Sequence, residues 1–321
     1  MIEPLVLVLA ASLLDLAFGD PDYRLHPVRI IGDWSLLLER LLFALGWNGR
    51  AGGILHWLLV VTGALGLWWG VHLGLTWLHP MLAVLWDLYL AYSLLCLRGL
   101  AEQGGRVLKT LDDLPLAREH MRLLVGRDTE PLQRDGMVRA AIESLAENLT
   151  DAVLTPLWAL CLFGLPGLIL VKAVSTLDSM VGYKTDRYCQ FGWAGARSDD
   201  LAHWLPARLS VILIALAAAI LRLHPLLALR SAWRNHAMLP SPNSGWSEAA
   251  CAGALRVRLL GSVWRHGKLI NDRYLGDPDW PADLGAADLR RAIALIAVCT
   301  LLALGAGLML MAWSCRIGAQ C

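Results

Sequence analysis

The feature that most constrains this chain is a long stretch without charge. No Asp, Glu, Lys or Arg occurs between Arg50 and Asp87. An α-helix needs ~20 predominantly apolar residues to cross the hydrocarbon core of a bilayer. The stretch therefore has room for two membrane helices, which we place at 53–78 and 81–97, joined by the short link at 79–80. Such a chain is expected to fold as an all-α, polytopic membrane bundle.

Composition supports the same class of protein. The chain has 321 residues, of which 57% are hydrophobic and 17% are charged, and its mean hydropathy is +0.52. Soluble domains carry about 25% charged residues. Further apolar segments cover 4–18 and 292–313, and we expect the first to be a retained helix because it lacks a basic region before it. We predict one integral-membrane domain, 1–321.

Net charge and cysteine spacing exclude some classes of function. A formal net charge of +1 gives no electrostatic reason to expect a nucleic-acid partner. The seven cysteines form no CxxC pair and no zinc-like spacing, so we predict neither disulfides nor a zinc site. Four histidines stand alone in the sequence and are interpreted as interfacial or capping residues: His203, His224, His236 and His266.

Basic residues predict the topology, since loops rich in Lys and Arg stay in the cytoplasm. Residues 98–139 carry eight of them, and 224–291 is basic too, so both are expected inside. The apolar segment 149–182 is broken at "GLPG", which permits a bent crossing or a hairpin. Residues 209–223 are apolar but short. Either 209–223 does not cross, or 149–182 crosses once.

Two stretches have periodic apolar residues with charges between them. They are 27–45 and 101–125. This pattern is typical of amphipathic helices that lie on a bundle or on the membrane surface. We expect them to face the cytoplasm, together with the loops that carry the motifs described next.

The first charged motif is "DLAFGDPDYRLHPVRIIG", residues 15–32. It places Asp15 within the first apolar helix, Asp20, Asp22 and His26 after that helix, and Arg29 on the next. A carboxylate inside an apolar helix is a functional candidate by default. The motif predicts an anion or metal site in a cytoplasmic loop. The alternative is an interfacial turn with Arg extending toward water.

The second motif, "AAIESLAENLTDAVLTPLW", spaces three acids by four residues. On a helix, Glu143, Glu147 and Asp151 fall within an ~80° arc, with Asn148 at its edge. Like charges at this spacing destabilise a helix, and more so beside an apolar segment. A cation such as Mg²⁺ would offset them. The alternative is pairing with Arg from another helix.

The third motif is "DSMVGYKTDRYCQFGWAGARSDD", residues 178–200. Lys184 and Arg187 suit phosphate, the first as a point charge and the second as a planar fork. Asp199 and Asp200 could hold a metal or orient the cations. The alternative is a solvated loop between helices.

The fourth motif, "LPSPNSGWSEAACAGALRVRLLG", is a turn that leads into a helix of small residues. Ser244 or Ser247 can cap that helix, and Glu248 lies near its first turn. A helix N-terminus after such a turn is a natural anion site. The alternative is simple capping and close packing.

Taken together, the four motifs resemble the CobD/CbiB family of cobalamin biosynthesis, whose motifs they match in order between residues 15 and 261. The resemblance implies a membrane-embedded adenosylcobinamide-phosphate synthase. Such an enzyme joins (R)-1-aminopropan-2-ol or its O-phosphate to the free propionate carboxylate of adenosylcobyric acid. It implies ATP and Mg²⁺ as the source of driving force, and the corrinoid as substrate.

This chemistry assigns roles to the polar residues of the motifs, because forming an amide from a carboxylate requires activation by phosphoryl transfer. The expected catalytic residues are His26, Asp178, Asn148 and Asn243; the expected phosphate- and substrate-binding residues are Arg29, Lys184, Arg187, Tyr188, Arg208, Ser241 and Glu248; the expected metal ligands are Asp20, Glu143, Glu147, Asp151, Asp199 and Asp200.

Location and partners follow from the same resemblance. We expect a multi-pass inner-membrane protein with its site on the cytoplasmic face, lipid contacts, and a complex with other late cobalamin-biosynthesis enzymes. Two other classes stay open. One is a transporter or channel for a charged small molecule, since charged broken helices occur in transporters. The other is an AmpE-like signalling membrane protein.

Overall fold

The protein is described by a computed structural model that covers residues 2–20, 23–265 and 267–318, with side chains up to 315. Asp22 of the first motif, and also His266 and Cys321, lie outside the described residues. The helices are α1 Pro4–Phe18, α2 Pro27–Ala44, α3 Arg50–Leu78, α4 Pro80–Leu94, α5 Gly99–Thr110, α6 Leu114–Arg122, α7 Arg134–Asn148, a π-helix Leu149–Leu154, α8 Thr155–Val181, α9 Trp193–Ile220, α10 Pro225–Asn235, a 3₁₀ turn His236–Met238, α11 Ser244–Leu255 and α12 Ala286–Gly318.

Strands are few and short. β1 (Leu259–Leu260) pairs antiparallel with β4 (Tyr274–Leu275), and β2 (Val263–Arg265) pairs antiparallel with β3 (Lys268–Asn271). All other regular structure in the described ranges is helical. The all-α prediction is confirmed.

Five described helical stretches are long and apolar enough to cross a membrane. They are Arg50–Leu78, Pro80–Thr110, Arg134–Val181, Trp193–Ile220 and Ala286–Cys315. The predicted segments 53–78, 81–97 and 292–313 lie within three of them, so the chain is a multi-pass membrane protein. Helix α1 is apolar but has 15 residues, fewer than the ~20 that a straight crossing needs.

The chain forms two compact units, each built from separate stretches of sequence. Unit 1 contains residues 1–96, 155–203 and 305–321, and unit 2 contains 97–154 and 204–304. In unit 1, α2, α3 and α8 pack around a core that includes Ile31, Val60 and Leu177. In unit 2, α7 is buried along most of its length, because α5 and α11 pack against it. That the whole chain acts as one domain stays a prediction.

The "GLPG" break reverses the chain. Gly164 adopts φ 66° and ψ −162°, outside the helical region. A Cβ on Gly167 would lie only 2.8 Å from the Ala159 carbonyl oxygen. Residues eight apart in a continuous helix are separated by about 12 Å along the axis. Helix α8 is therefore a hairpin of two legs, one of the two forms that the sequence allows.

The two basic segments of unit 2 are in direct contact. Asp128 N–H donates to the Trp264 carbonyl oxygen at 2.9 Å, and Gly267 N–H donates to Asp128 Oδ2 at 2.7 Å. Arg139 also donates to the carbonyl of Ala282. Segments 98–139 and 224–291 therefore lie on the same side of the membrane, as their charge predicts.

These contacts bear on the topology of residues 209–223. Because the chain turns back at Gly164, it returns to the side of the membrane on which 98–139 lies. Segment 224–291 lies on that side too, which favours the alternative in which 209–223 does not cross the membrane. The expected reason, a short helix, is wrong: residues 209–220 belong to α9, which has 28 residues and begins at Trp193. Its polar first half continues directly into the apolar second half.

The amphipathic stretches both form helices. In α2, the buried residues Ile31, Ser35, Leu38, Glu39 and Leu42 form one stripe, as the 3.6-residue period predicts. Residues 101–125 form two helices instead of one, because α5 ends at Thr110 and Asp113 begins α6. The Asp113 side chain accepts a hydrogen bond from Leu116 N–H, which caps α6.

Candidate functional site

The predicted site residues fall into both units. Unit 1 contains Asp20, His26, Arg29, Asp178, Lys184, Arg187, Tyr188, Asp199 and Asp200; unit 2 contains Glu143, Glu147, Asn148, Asp151, Arg208, Ser241, Asn243 and Glu248. In each unit, some of the predicted site residues lie close together and form a cluster. That the two clusters serve one reaction stays a prediction.

The third motif forms the cluster of unit 1. Asp178, near the end of α8, interacts electrostatically with Asp199 and Asp200 in the first turns of α9. Lys184, from the loop between these helices, interacts with Asp200. Arg197 Nη1 lies 3.9 Å from Asp200 Oδ2. The cluster therefore combines three carboxylates with cations of the same motif.

His203 is a member of this cluster that the sequence did not reveal. Its Nδ1 lies 2.7 Å from Thr155 Oγ1, and its Nε2 lies 3.1 Å from Asp199 Oδ1. The residue is 2% exposed. The interpretation of His203 as an isolated interfacial residue is therefore wrong. The spacing of four between Asp199 and His203 on one helix is the signal that could have indicated the pair.

The loop between α8 and α9 folds closely onto the end of α8. A Cβ on Gly182 would lie 2.0 Å from Asp178 Oδ1, and one on Gly192 would lie 1.7 Å from the Val181 carbonyl oxygen. No side chain fits at either position. The glycines of the motif thus allow the close backbone approach that brings Lys184 to the acids.

Arg187 and Tyr188 are held by a residue outside the motifs. Glu39 Oε1, buried on α2, accepts bonds from Arg187 Nη2 at 2.7 Å and from Tyr188 Oη at 3.0 Å. The Arg187 guanidinium also lies 4.2 Å from the ring centre of Phe43. The hydrogen bond to Glu39, followed by that to Tyr188, raises the pKa of Arg187. Both residues therefore anchor the loop to α2.

His26 caps α2. Its Nδ1 accepts a hydrogen bond from Val28 N–H at 3.3 Å, and its Nε2 lies 3.4 Å from Asp20 Oδ1. Pro27 follows as the first helical residue, as expected. Arg29 is exposed on the same helix. The first motif therefore combines a capping function with a His–Asp pair.

In unit 2, Glu143 is buried and fully engaged. Its Oε2 accepts a bond from Arg127 Nη2 at 2.5 Å, and its Oε1 accepts one from Leu260 N–H at 2.7 Å. Leu260 has φ 63°, in the left-handed region that a branched residue rarely adopts. Glu143 thus stabilises a strained turn, and its ion pair with Arg127 matches the alternative stated for this motif.

A π-helix interrupts the second motif after Asn148. Residues Leu149–Leu154, which include Asp151, follow the wider π geometry, so the arc expected for a regular helix does not extend to Asp151. Asn148 Nδ2 donates to the Ser144 carbonyl oxygen at 2.9 Å. Glu147 is exposed. A π segment often marks a functional site.

Glu248 joins this acidic motif from the fourth motif. It is 4% exposed, and among the described residues its carboxylate has no hydrogen-bond partner. Burial first, and then the carboxylates of Glu147 and Glu143, raises the pKa of Glu248 well above its ordinary value of 4.5, while Arg127 opposes the rise. Asp151 contributes in the same direction as the other acids. Four carboxylates therefore gather in unit 2.

Arg208 and Asn243 form the second polar contact of unit 2. Arg208 Nη1 lies 3.3 Å from Asn243 Oδ1 and donates to the Trp204 carbonyl oxygen at 2.6 Å. The guanidinium lies 4.2 Å from the ring centre of Trp204 and 5.3 Å from that of Trp246. Aromatic faces on two sides restrain the cation while leaving it charged.

Helix α11 is capped differently from the expectation. Ser241 Oγ accepts bonds from Asn243 N–H at 3.2 Å and Ser244 N–H at 3.3 Å. Ser247 Oγ donates to the Ser244 carbonyl oxygen instead. Capping by Ser244 or Ser247 is therefore wrong, because the turn directs the Ser241 hydroxyl at the first free N–H groups.

No group of three or more His, Cys, Asp or Glu side chains within the described ranges has the geometry of a metal cage. Mg²⁺ is commonly held by one or two carboxylates plus substrate phosphates and water, without such a cage. The excess of carboxylates around buried Glu248 fits a cation of this kind. The metal-ligand assignments stay predictions.

Comparison with known proteins gives one consistent result. A family model described as CobD/Cbib protein matches residues 8–296. The cobalamin biosynthesis protein CobD of Geobacter metallireducens is 44% identical over 295 residues, which cover 89% of this chain and 91% of that protein. CobD of Yersinia enterocolitica is 41% identical over 299 residues, covering 92% and 93%. CbiB of Salmonella choleraesuis is 38% identical over 299 residues, with the same coverage. No solved structure matches.

Proposed function

Because this chain belongs to the CobD/CbiB family and so has a role in cobalamin biosynthesis, we propose that it is an adenosylcobinamide-phosphate synthase. It joins (R)-1-aminopropan-2-ol or its O-phosphate to the free propionate carboxylate of adenosylcobyric acid, with ATP and Mg²⁺. The main structural support for this reaction is that the acids of "ESLAENLTD" lie close to Glu248, which is about a hundred residues later in the chain. Such a group of carboxylates suits the binding of Mg²⁺ with a phosphate substrate.

The reaction has two steps. The corrinoid carboxylate attacks the γ-phosphorus of ATP, the bond to the β–γ bridging oxygen breaks, and an acyl phosphate and ADP form. The amine then attacks the acyl carbon, phosphate leaves, and the amine proton passes to a base. The first step makes the carboxylate oxygen a good leaving group, and both steps require that water be excluded.

The acidic cluster of unit 2 supplies the negative side of this site. Glu147 is exposed, so a ligand can reach it, and Glu147 with Asp151 would hold Mg²⁺. When bound, Mg²⁺ neutralises phosphate charge. Glu143 is already engaged by Arg127 and Leu260 N–H, which suits a positioning role. Asn148 uses its Nδ2 within α7, and its amide oxygen can orient a substrate N–H or O–H.

Each unit also offers a cation of its own, Arg208 in unit 2 and Lys184 in unit 1. Lys184 is exposed beside Asp200, which suits contact with a transferring phosphate. Arg208 is half-buried between two tryptophans, and Asn243 fixes its direction. Because ATP and corrinoid intermediates are cytoplasmic, we place the site at the cytoplasmic face of the inner membrane. An assembly with other late enzymes of the pathway belongs to the same proposal.

The direct test is product analysis by mass spectrometry. Purified full-length protein in detergent or nanodiscs is incubated with adenosylcobyric acid, ATP, Mg²⁺ and either aminopropanol or its O-phosphate. The expected result is a new amide with one of the two amines, together with stoichiometric ADP and phosphate. Substrate flux into proteoliposomes without ATP consumption would instead identify a transporter. The absence of both corrinoid binding and product would favour a signalling relative.

A further inference from the structure

Unit 2 contains an open groove next to Arg208 of the candidate site: Trp246 lines the groove, and its ring centre lies 5.3 Å from the Arg208 guanidinium. It has a volume of about 500 Å³ and lies between α9, α10 and α11. Its walls are formed by Val211, Leu226, Leu229, Ala232, Trp233 and Trp246, with Arg230 and Arg234 completing the lining. A groove with apolar walls and arginines suits a ligand that has both an apolar and an anionic part.

Helix α10, which supplies most of the groove lining, packs closely on α11. A Cβ on Gly253 of α11 would lie 2.2 Å from the Leu227 carbonyl oxygen, so α10 packs directly on α11. The buried face of α10 carries the small residues Ala228, Ser231 and Ala232. Its opposite face is apolar and uncovered, since Leu226 and Trp233 are each 77% exposed. An eleven-residue helix is too short to cross a bilayer. An exposed apolar face of this kind commonly marks a surface that contacts a protein, a membrane or a ligand.

The preceding helix continues the same apolar surface. Ile212, Leu216 and Ile220 of α9 are 52%, 50% and 59% exposed. Such a surface on a multi-pass membrane protein contacts lipid. Helix α10 begins at Pro225, only a few residues after α9 ends. The exposed apolar face of α10 therefore follows closely, along the chain, on an apolar face of α9 that we expect to contact lipid.

Two arginines line the groove without an ion-pair partner among the described residues. The side chains of Arg230 and Arg234 form no ion pair or hydrogen bond with any described residue. Asp277 lies in the adjoining smaller recess but pairs with neither of the arginines that line it. A second copy of this chain placed symmetrically here would bring like charges together. Positive charge beside an apolar groove instead complements an anionic lipid.

We propose that the groove between α9, α10 and α11 binds an anionic phospholipid. The acyl chains lie against Leu226, Leu229 and Trp233, and Arg230 and Arg234 bind the headgroup phosphate. Helix α10 is then an interfacial helix, anchored by Trp233. Lipid binding here does not require the proposed ligase activity, although Trp246 lines the groove and also lies beside Arg208.

The test compares two double variants of the full-length protein. Arg230→Gln/Arg234→Gln removes the groove charges, and Lys268→Gln/Arg273→Gln removes the same charge from exposed positions on and next to the short strands of unit 2. Each is reconstituted in nanodiscs of phosphatidylcholine with added phosphatidylglycerol, and retained lipid is counted by native mass spectrometry. We expect affinity for phosphatidylglycerol to fall about fivefold for each groove arginine. The control is expected to stay within about twofold.

A second measurement locates the acyl chains. Brominated phosphatidylcholine quenches tryptophan fluorescence on contact, and Trp233→Phe should remove part of the quenchable signal, whereas Trp264→Phe should not. Equal loss of lipid in both double variants would overturn the proposal. The proposal would also be overturned if inorganic phosphate or ATP bound the groove arginines as tightly as phosphatidylglycerol does without displacing lipid. Quenching that is unchanged in Trp233→Phe would overturn it as well.

Discussion

The acids of unit 1 and the acids of unit 2 have different surroundings. In unit 1, Asp199 is paired with His203, and Asp200 lies beside Lys184 and Arg197, all within a short stretch of sequence. In unit 2, four carboxylates from two distant stretches of the sequence lie together, and Glu143 forms an ion pair with Arg127. Glu248 is buried there without a hydrogen-bond partner among the described residues.

This difference indicates where a ligand is needed. Carboxylates that already have cations beside them are stable without a ligand, and they can orient cations toward a substrate. Buried carboxylates in excess are costly unless a proton or a metal offsets them. We therefore expect unit 2 to depend on Mg²⁺ more than unit 1 does. Each of the following experiments tests that contrast.

The largest effect is expected for Glu147→Gln. The side chain is exposed, so folding is retained, but the carboxylate proposed to hold Mg²⁺ is lost. We expect kcat/KM for amide formation to fall about 10³-fold, with a higher Mg²⁺ requirement. Asp200→Asn should cost about tenfold, because Lys184 and Arg197 already lie beside that acid. Steady-state kinetics across Mg²⁺ concentrations measure both.

The matched control for this experiment is Glu119→Gln, an exposed acid of α6. It should leave both the rate and the Mg²⁺ requirement unchanged. A larger Mg²⁺ effect for Asp200→Asn than for Glu147→Gln would reverse the assignment of the two clusters.

Glu143→Leu should reduce stability more than it affects binding of metal. It leaves half-buried Arg127 without its carboxylate and removes the acceptor of Leu260 N–H. We expect the free energy of unfolding to fall by about 3 kcal/mol. Asp186→Ala, an exposed acid in the loop of unit 1, should change it by less than about 0.5 kcal/mol. Thermal and denaturant unfolding in detergent compare them, and equal effects would show that Glu143 is not an anchor.

Lys184→Gln tests the positive side of unit 1. Loss of a charge-assisted contact to phosphate should lower kcat/KM for ATP about 10²-fold. Lys184→Arg keeps the charge and should recover part of the activity. Lys268→Gln removes an exposed lysine elsewhere and serves as the control. Wild-type kinetics in Lys184→Gln would exclude this residue from the site.

The smallest effect concerns the pH dependence of stability. The pKa of Glu248 is raised, so below pH 4.5 both the folded and the unfolded state hold the proton. Above that pH the unfolded state releases the proton first, so wild-type stability falls until the folded pKa is passed. Glu248→Gln has no proton to release at this position, so its stability does not fall with pH for this reason. With Mg²⁺ chelated, the Tm difference between the variant and the wild type should widen as pH rises, and a constant difference would contradict the buried acid.

Prediction from sequence succeeded where the signal is contiguous. The absence of charge between Arg50 and Asp87 was sufficient to place α3 and α4, and the "GLPG" break marked a reversal. Motif order was enough to indicate the family. The spacing of Glu143 and Glu147 correctly brought them to one cluster, since both lie on α7. It could not indicate that a π-helix follows, because that depends on how Leu149–Leu154 packs.

Side-chain partners were the part that sequence could not supply. Arg127 is 16 residues from Glu143, and Leu260 is 117 residues away. Glu39 lies 148 residues from Arg187 and belongs to no motif. His203 stands alone in the sequence, and one of its two partners, Thr155, lies 48 residues away. A pairing of this kind depends on which distant segments approach each other.

Hydropathy and the order of the motifs can be read along the chain, and they were enough to identify a helical membrane protein of the CobD/CbiB family. Which acids have cations beside them became visible only once the chain was folded. The physical reason is that the charge state of a carboxylate depends on its burial and on the cations within a few ångströms, and both are set by packing between distant segments.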